Sequence, residues 1–354
     1  MEKMKKKILI ITIAVVVTLI VVVGGSMYYL FHQQYAAAQN VKQVGDKMYT
    51  MTYEGDYGLD DFLEQGGACS SNEIAVFVCN QLFYGFVSPP EVEPAEFGCS
   101  FITVKDKDGN VLTGRNFDWP DCKSPIAIIH TRPEKGFASV STSCISFLGF
   151  GDDWKPEGLA DKMGLIAAIY APLDGMNEKG LVVSDLVAGD HTKTDQKTGR
   201  TNLTTTSAIR VLLDRAANVE EALHLLESCD MHSDIDYSHH LAISDAKGKS
   251  VVVEWVDNKM LVADSPLCTN HYLAESCMKD YSIYSEDSHR RFDIMQQMRD
   301  SLPTMDQNDV VESIRRVAAK EMTRWSVVFD CNALTATYYQ YSDFDKPYRF
   351  ELNK

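Results

Sequence analysis

Hydrophobic and polar positions divide the chain unevenly. Residues 8–31 carry no charge, and their centre, 8–23, is almost wholly apolar. Lys3, Lys5, Lys6 and Lys7 precede this run and none closely follows it. As a helix it would span roughly 36 Å, enough to cross a bilayer. Lysines on one side only predict a cytoplasmic N-terminus and a body outside. The competing reading is a cleaved signal peptide processed near Ala36-Ala37-Ala38, although the stretch after its apolar centre would then be unusually long. Residues 1–35 are thus read as a basic stub and transmembrane anchor or signal peptide, with the catalytic body membrane-anchored, or secreted or periplasmic after cleavage. Residues 36–98 follow as stalk and upstream pro-segment or small subunit, the stalk-like stretch itself running over 32–57, and 99–354 as the catalytic domain.

Periodicity predicts the elements beyond the stalk. A short helix covers 59–64, and after Gly66-Gly67 a second covers 72–83. In the second, Ser70 and Glu73 have capping-box spacing, and Ile74, Phe77, Val78 and Leu82 share a face. The prolines at 89, 90 and 94 exclude regular structure, leaving a loop that ends at Gly98-Cys99. Strands at 101–105 and 111–117 flank Asp106–Asn110, a strong hairpin signal. Residues 165–171 and 180–186 read as a second pair around the turn 177–180, and 240–244 with 250–256 as a third. Helices are predicted at 205–217, 219–228, 288–301 and 308–321, with final strands at 325–329 and 336–341. Hairpins with helices grouped between them predict an α+β layered fold.

Composition is that of an ordinary globular protein, 45% hydrophobic and 24% charged. A formal charge of −16 argues against recognition of nucleic acid, which needs a basic surface. The nine cysteines are an odd number, so an exported body keeps at least one thiol free. No pair has CxxC spacing, and His239-His240 lacks the partners of a metal site, so no metal or cofactor is expected. Asp106–Asn110 resembles part of a calcium loop without its closing acid.

The chemistry concentrates around Cys99. With Asp108-Gly109 as the central turn residues, cross-strand partners sum to 217, so Cys99 faces Asp118 and Phe101 faces Asn116. Arg115 is then out of parity with Asp118, and a bulge or strand end must bring both to one cysteine.

The segment Cys99-Ser100-Phe101 with Gly114-Arg115-Asn116-Phe117-Asp118-Trp119 closely resembles the choloylglycine hydrolase, penicillin V acylase and acid ceramidase superfamily. Gly175–Leu181, Cys268-Thr269-Asn270 and Ser288–Phe292 resemble its later motifs, in order. The resemblance implies a four-layer αββα sandwich, the N-terminal-nucleophile hydrolase fold, in which self-cleavage after Gly98 makes Cys99 the first residue. The freed amine, with a pKa near 7.7–8.0, can then accept the thiol proton. Also by resemblance, Asp118 holds that amine, Arg115 favours the thiolate, Asn270 donates to the oxyanion, and Arg291 is the site's second arginine, with Arg290 its rival.

The implied reaction is hydrolysis of a linear amide in a small N-acyl substrate. An acyltransferase on the same fold and an uncut, inactive binding protein are the alternatives. One departure stands out. Val187 occupies the position of a second oxyanion asparagine, with Asp185-Leu186 in place of the usual Gly-Leu. Loops at 147–159 and 187–201 are expected to shape the acyl pocket, and a homo-oligomer stays open.

Overall fold

The computed structural model describes residues 2–89, 98–119, 124–188, 193–234, 237–274, 285–319 and 321–352. Two β-sheets meet face to face, each with helices on its outer side. The larger sheet has nine strands and the smaller six. Helices Ser71–Phe83 and Thr205–Arg215, with the 3₁₀ segment Leu165–Tyr170, cover the nine-stranded sheet, while Ser285–Ser301 and Gln307–Arg316 cover the six-stranded one. This is the expected αββα layering.

The smaller sheet carries the hairpin singled out above. Its strands Gly98–Lys105 and Val111–Asp118 pair antiparallel, but cross-strand partners sum to 216, so Gly98 faces Asp118 and Cys99 faces Phe117. The one-residue difference arises in the turn. One carboxylate oxygen of Asp106 accepts from the N–H groups of Asp108 and Asn110, both at 2.8 Å, and Gly109 takes φ +85°. The loop is therefore a three-residue turn with a left-handed glycine, not a two-residue one. Because side chains alternate with period two, the shift gives Arg115 the same face as Cys99. No bulge between them is needed.

The predicted stalk is different too. Residues 42–54 are not a spacer: strands Lys42–Gly45 and Met48–Glu54 form one edge of the larger sheet, the second pairing parallel to Ile126–Arg132. Met48, Met51 and Tyr53 are fully buried there. Residues 165–171 are likewise a 3₁₀ helix followed by Pro172, and the strand partner of Val182–Val187 is Asp174–Asn177. A short apolar run has no decisive period, and here tertiary context chooses the helix. The helix Ser71–Phe83 follows the sequence closely: the Ser70 hydroxyl accepts from the N–H of Glu73, and Tyr84 ends the helix at φ 50°.

The smaller sheet and its helix layer approach unusually closely at Gly114. A Cβ there would lie 2.7 Å from Val310 and 2.9 Å from Ile314, both on the helix Gln307–Arg316. Gly114→Val should therefore overpack this contact and cost about 1–3 kcal/mol. Denaturant unfolding monitored by tryptophan fluorescence measures it, and an unchanged midpoint would mean that the layers can separate freely.

Candidate active site

Cys99 is fully buried, and each of its three polar atoms has its own partner. Its Sγ is 3.7 Å from Nη2 of Arg115, its backbone N–H donates to Oδ1 of Asn270 at 3.1 Å, and its carbonyl accepts from Nη1 of Arg291. The corrected register explains the arrangement. The thiol points between the sheets with Arg115, while Asp118 belongs to the other face, at the strand end across from Gly98. The acid thus lies beside the Gly98–Cys99 bond, not opposite the thiol. Gly98 is closely surrounded, since a Cβ there would be 3.7 Å from both Asp118 and Asn270.

Arg115 spans the gap between the sheets. Its Nε pairs with Asp174 at 3.2 Å and its Nη2 donates to the carbonyl of Asp185 at 2.6 Å and to that of Leu173 at 3.3 Å. Both members of the ion pair are fully buried. The indole N–H of Trp325 donates to Asp174 at 2.9 Å, and the Trp325 ring stacks on Phe117 at 4.1 Å. These contacts hold the guanidinium in one place.

Asn270 is fixed just as fully. Its Oδ1 accepts from Cys99 and, at 2.7 Å, from Nη2 of Arg291; its Nδ2 donates to the carbonyl of Val187 at 2.8 Å. Donors on one side and a carbonyl on the other allow only this orientation of the amide. Of the two candidate arginines, Arg291 is the one at the site. It is buried, donates to Ser100 Oγ at 2.9 Å and pairs with Asp287 at 2.6 Å, whereas Arg290 is exposed and bonds to Asp287.

Burial sets the charge states. Desolvation pushes the Cys99 thiol up to about 12 despite the opposing pull of Arg115, so it stays protonated at neutral pH. Desolvation also raises the Asp118 carboxyl to about 6, opposed by Arg291, by the 2.5 Å hydrogen bond from Thr323 Oγ1, and by Arg115. Asp118 is therefore mostly ionised at neutral pH.

Several structural residues here escape sequence reasoning. Asp174 and Trp325 hold Arg115, and Thr323 holds Asp118. Asp185, in the position the resemblance gives to glycine, binds His239 at 2.7 Å, while His240 pairs with Glu254 at 3.0 Å. Asn177, in the second motif, ties its own turn to the carbonyls of Leu213 and Ala216. No cluster of potential metal ligands occurs among the described residues. Cys69, Cys79, Cys99, Cys229, Cys268 and Cys331 carry free thiols, and the Cys144 Sγ lies 3.4 Å from the Ser146 hydroxyl. Cys122 and Cys277 lie outside the described residues.

An apolar cavity of about 400 Å³ opens among the described residues. Phe147, Leu148 and Phe150, from the first loop expected to shape a pocket, line it, but none of the described residues of the expected second loop, 187–201, does. Its place is taken by the upstream helix Ser71–Phe83 and by residues of 160–171.

Comparison with known proteins follows this geometry. Residues 104–343 match the family described as acyl-coenzyme A:6-aminopenicillanic acid acyl-transferase. No curated protein matches the chain. Among solved structures, the fold is similar to that of a mutant of the conjugated bile acid hydrolase from Clostridium perfringens, with 18% identity, TM-score 0.53, and 72% of this chain and 92% of that one covered. Penicillin V acylase from Agrobacterium tumefaciens is similar at 19% identity and TM-score 0.51, covering 72% of this chain and 87% of that one.

The buried ion pair yields a test of what holds the site. Arg115→Met strands Asp174 without a countercharge, and should cost about 3–5 kcal/mol. Adding Asp174→Asn should recover more than half of this in urea unfolding. A double variant no more stable than the single one would mean that packing, not the ion pair, is responsible.

Proposed function

Because the chain belongs to the acyl-coenzyme A:6-aminopenicillanic acid acyl-transferase family, we propose that it is a self-processing amidohydrolase with Cys99 as nucleophile, acting on an N-acyl amide. The observation that carries this reading is the convergence of Arg115, Asn270 and Arg291 on the thiol, amide N–H and carbonyl of one buried cysteine. A structural cysteine needs no such set of partners.

In the intact chain, Sγ attacks the Gly98 carbonyl. The S–C bond forms as the C–N bond breaks, and the thiol proton ends on the nitrogen of Cys99. Water then hydrolyses the thioester, leaving Gly98 as a carboxylate and Cys99 with a free amine. Asp118, ionised and across from Gly98, stabilises the positive charge of that new amine. In turnover the amine accepts the thiol proton, a step worth typically 10²–10⁴-fold. Arg115 stabilises the thiolate, whose attack on substrate releases the amine product and forms an acyl thioester. Water completes the cycle.

Asn270 Nδ2 gives one N–H to the carbonyl of Val187 and serves as oxyanion donor through its second. With Val187 unable to donate from its side chain, Asn270 is the main side-chain donor. The family's description favours a second reading, in which an amine rather than water receives the acyl group. The two differ in product: an added amine acceptor diverts the acyl group only in the transferase.

Self-cleavage should depend on the Asp118 charge. As pH falls through about 6, Asp118 takes up a proton, and the processing rate should drop roughly tenfold per unit below that value. Asp118→Asn should process slowly at every pH without this limb, and Cys99→Ala should not process at all. Gel time courses and N-terminal sequencing give the result; an intact chain with full amidase activity would refute the scheme.

Turnover tests Asn270. Asn270→Ala should lower kcat by about 10²–10³ and change KM little, because the donor acts in the transition state. A folded variant with the wild-type kcat would exclude it from the oxyanion site.

A further inference from the structure

The apolar cavity lies beside the base of the N-terminal helix. That helix, Glu2–Gln39, contains a stretch long and apolar enough to cross a membrane, with mean hydropathy 3.0. From Leu9 to Tyr29 it is exposed, and it continues without a break into the body, where Ala37 and Ala38 are buried. There it packs on the helix Leu159–Gly164 and the 3₁₀ segment Leu165–Tyr170, both of which contribute to the cavity wall. It also grips the end of the third wall, Ser71–Phe83: Gln34 Nε2 donates to the carbonyl of Leu82 at 3.0 Å, and Tyr84 Oη donates to that of Leu30 at 3.3 Å.

Exposed apolar side chains surround this junction. Phe31 packs against Tyr84 and Phe86, with ring centres 5.2 and 6.0 Å apart. Phe86 is nevertheless 71% exposed, and Tyr28 and Tyr29, at the end of the apolar run, are 69% and 77% exposed. Aromatic residues at that point on a spanning helix mark the level of the lipid headgroups. Val87, itself half exposed, continues the patch directly into the cavity lining. Inside, the lining is carried by Ile74, Val78, Phe83, Phe147, Phe150 and Met163, and the Ser71 hydroxyl is turned to Asp234 at 2.7 Å. Two lining residues connect toward the site. Phe147 packs on Trp119, next in sequence to Asp118, at 5.2 Å between rings, and Ala171 is two residues from Leu173, whose carbonyl binds Arg115.

We propose that this cavity holds the hydrocarbon chain of a membrane-resident N-acyl amphiphile, which enters laterally from the bilayer beside the helix Glu2–Gln39. The inference rests on the amide-hydrolase reading for what happens at Cys99, but not for the binding itself. A bilayer is the occupant that fits the exposed patch, because the patch is continuous with the apolar helix and lies at its headgroup end. A long alkyl chain fits the interior, because most wall residues are apolar, with Ser71, Ser88, Asp161 and Thr206 the polar exceptions. Each methylene buried should strengthen binding by up to about fourfold until the cavity is filled.

The test uses the full chain as Cys99→Ala, which binds without turning over, in phosphatidylcholine vesicles. The probe is N-palmitoylglycine with a photoreactive diazirine in its chain. Mass spectrometry should locate the label on residues of 71–83 and 147–171, and excess N-palmitoylglycine, but not N-acetylglycine, should suppress it. Ala167→Trp and, independently, Ala75→Phe should cut this labelling at least tenfold, with circular dichroism confirming the fold of each. Phe86→Ser combined with Val87→Ser should slow labelling from vesicles several-fold. Label confined to residues 8–31, or cavity label unchanged in both folded filling variants, would overturn the inference. Neither result bears on self-cleavage, which gels of the wild-type chain read separately.

Discussion

The fully buried ion pair of Arg115 and Asp174 joins the two sheets, and the geometry of the site depends on it. A lone guanidinium between sheets would be far too costly to bury, so its position is dictated by what can compensate it. Asp174 supplies the countercharge, and the carbonyls of Leu173 and Asp185 supply acceptors, all from the larger sheet or the segment leading into it. The smaller sheet supplies the arginine and the thiol. The distance of Cys99 from a positive charge is thus set by the docking of whole sheets, which is harder to disturb than a loop.

The turn at Asp106–Asn110 provides the second constraint. A register change of one residue would move Arg115 to the helix side of the sheet and away from the thiol. The side chain of Asp106 and the left-handed Gly109 select one register, so a surface turn far from the site determines which side chain faces Cys99. The hairpin itself was legible in the sequence, as were the participants Cys99, Arg115, Asp118, Asn270 and Arg291. Its register was not, because the same residues are compatible with both two- and three-residue loops, and only hydrogen bonding decides between them.

What could not be read shares one physical character: it depends on partners distant in sequence. Residues 42–54 are polar and apolar in nearly equal measure, and become strand because an edge of the larger sheet accepts them beside Ile126–Arg132. The run 165–171 suits a strand as well as a helix, and packing against Ser71–Phe83 makes it helical. Asp174, Trp325 and Thr323 are ordinary strand residues until the layers close. The cavity is the extreme case, since its walls come from four separate stretches of chain, 71–88, 147–150, 160–171 and Thr206, and no short motif encodes it.

The hydrogen bonds of Asn270 tie the backbone of Cys99 to the proposed oxyanion donor. In the intact chain its carbonyl oxygen accepts two donors and one amide N–H is given to the carbonyl of Val187, so these contacts fix where the second amide N–H points. The Cys99 N–H that anchors this arrangement belongs to the bond that must break. Once that nitrogen becomes an amine it gains protons and rotational freedom, and Asn270 loses one of the fixed donors that orient it. Under the proposed cleavage Asn270 keeps Arg291 and Val187 as partners, which hold its second N–H in place for an oxyanion. Burial sets the other condition: a thiol held near 12 is a poor nucleophile, and the base it lacks is the amine that cleavage creates. On the proposed scheme the uncut chain lacks the base that turnover needs, and a single bond cleavage supplies it.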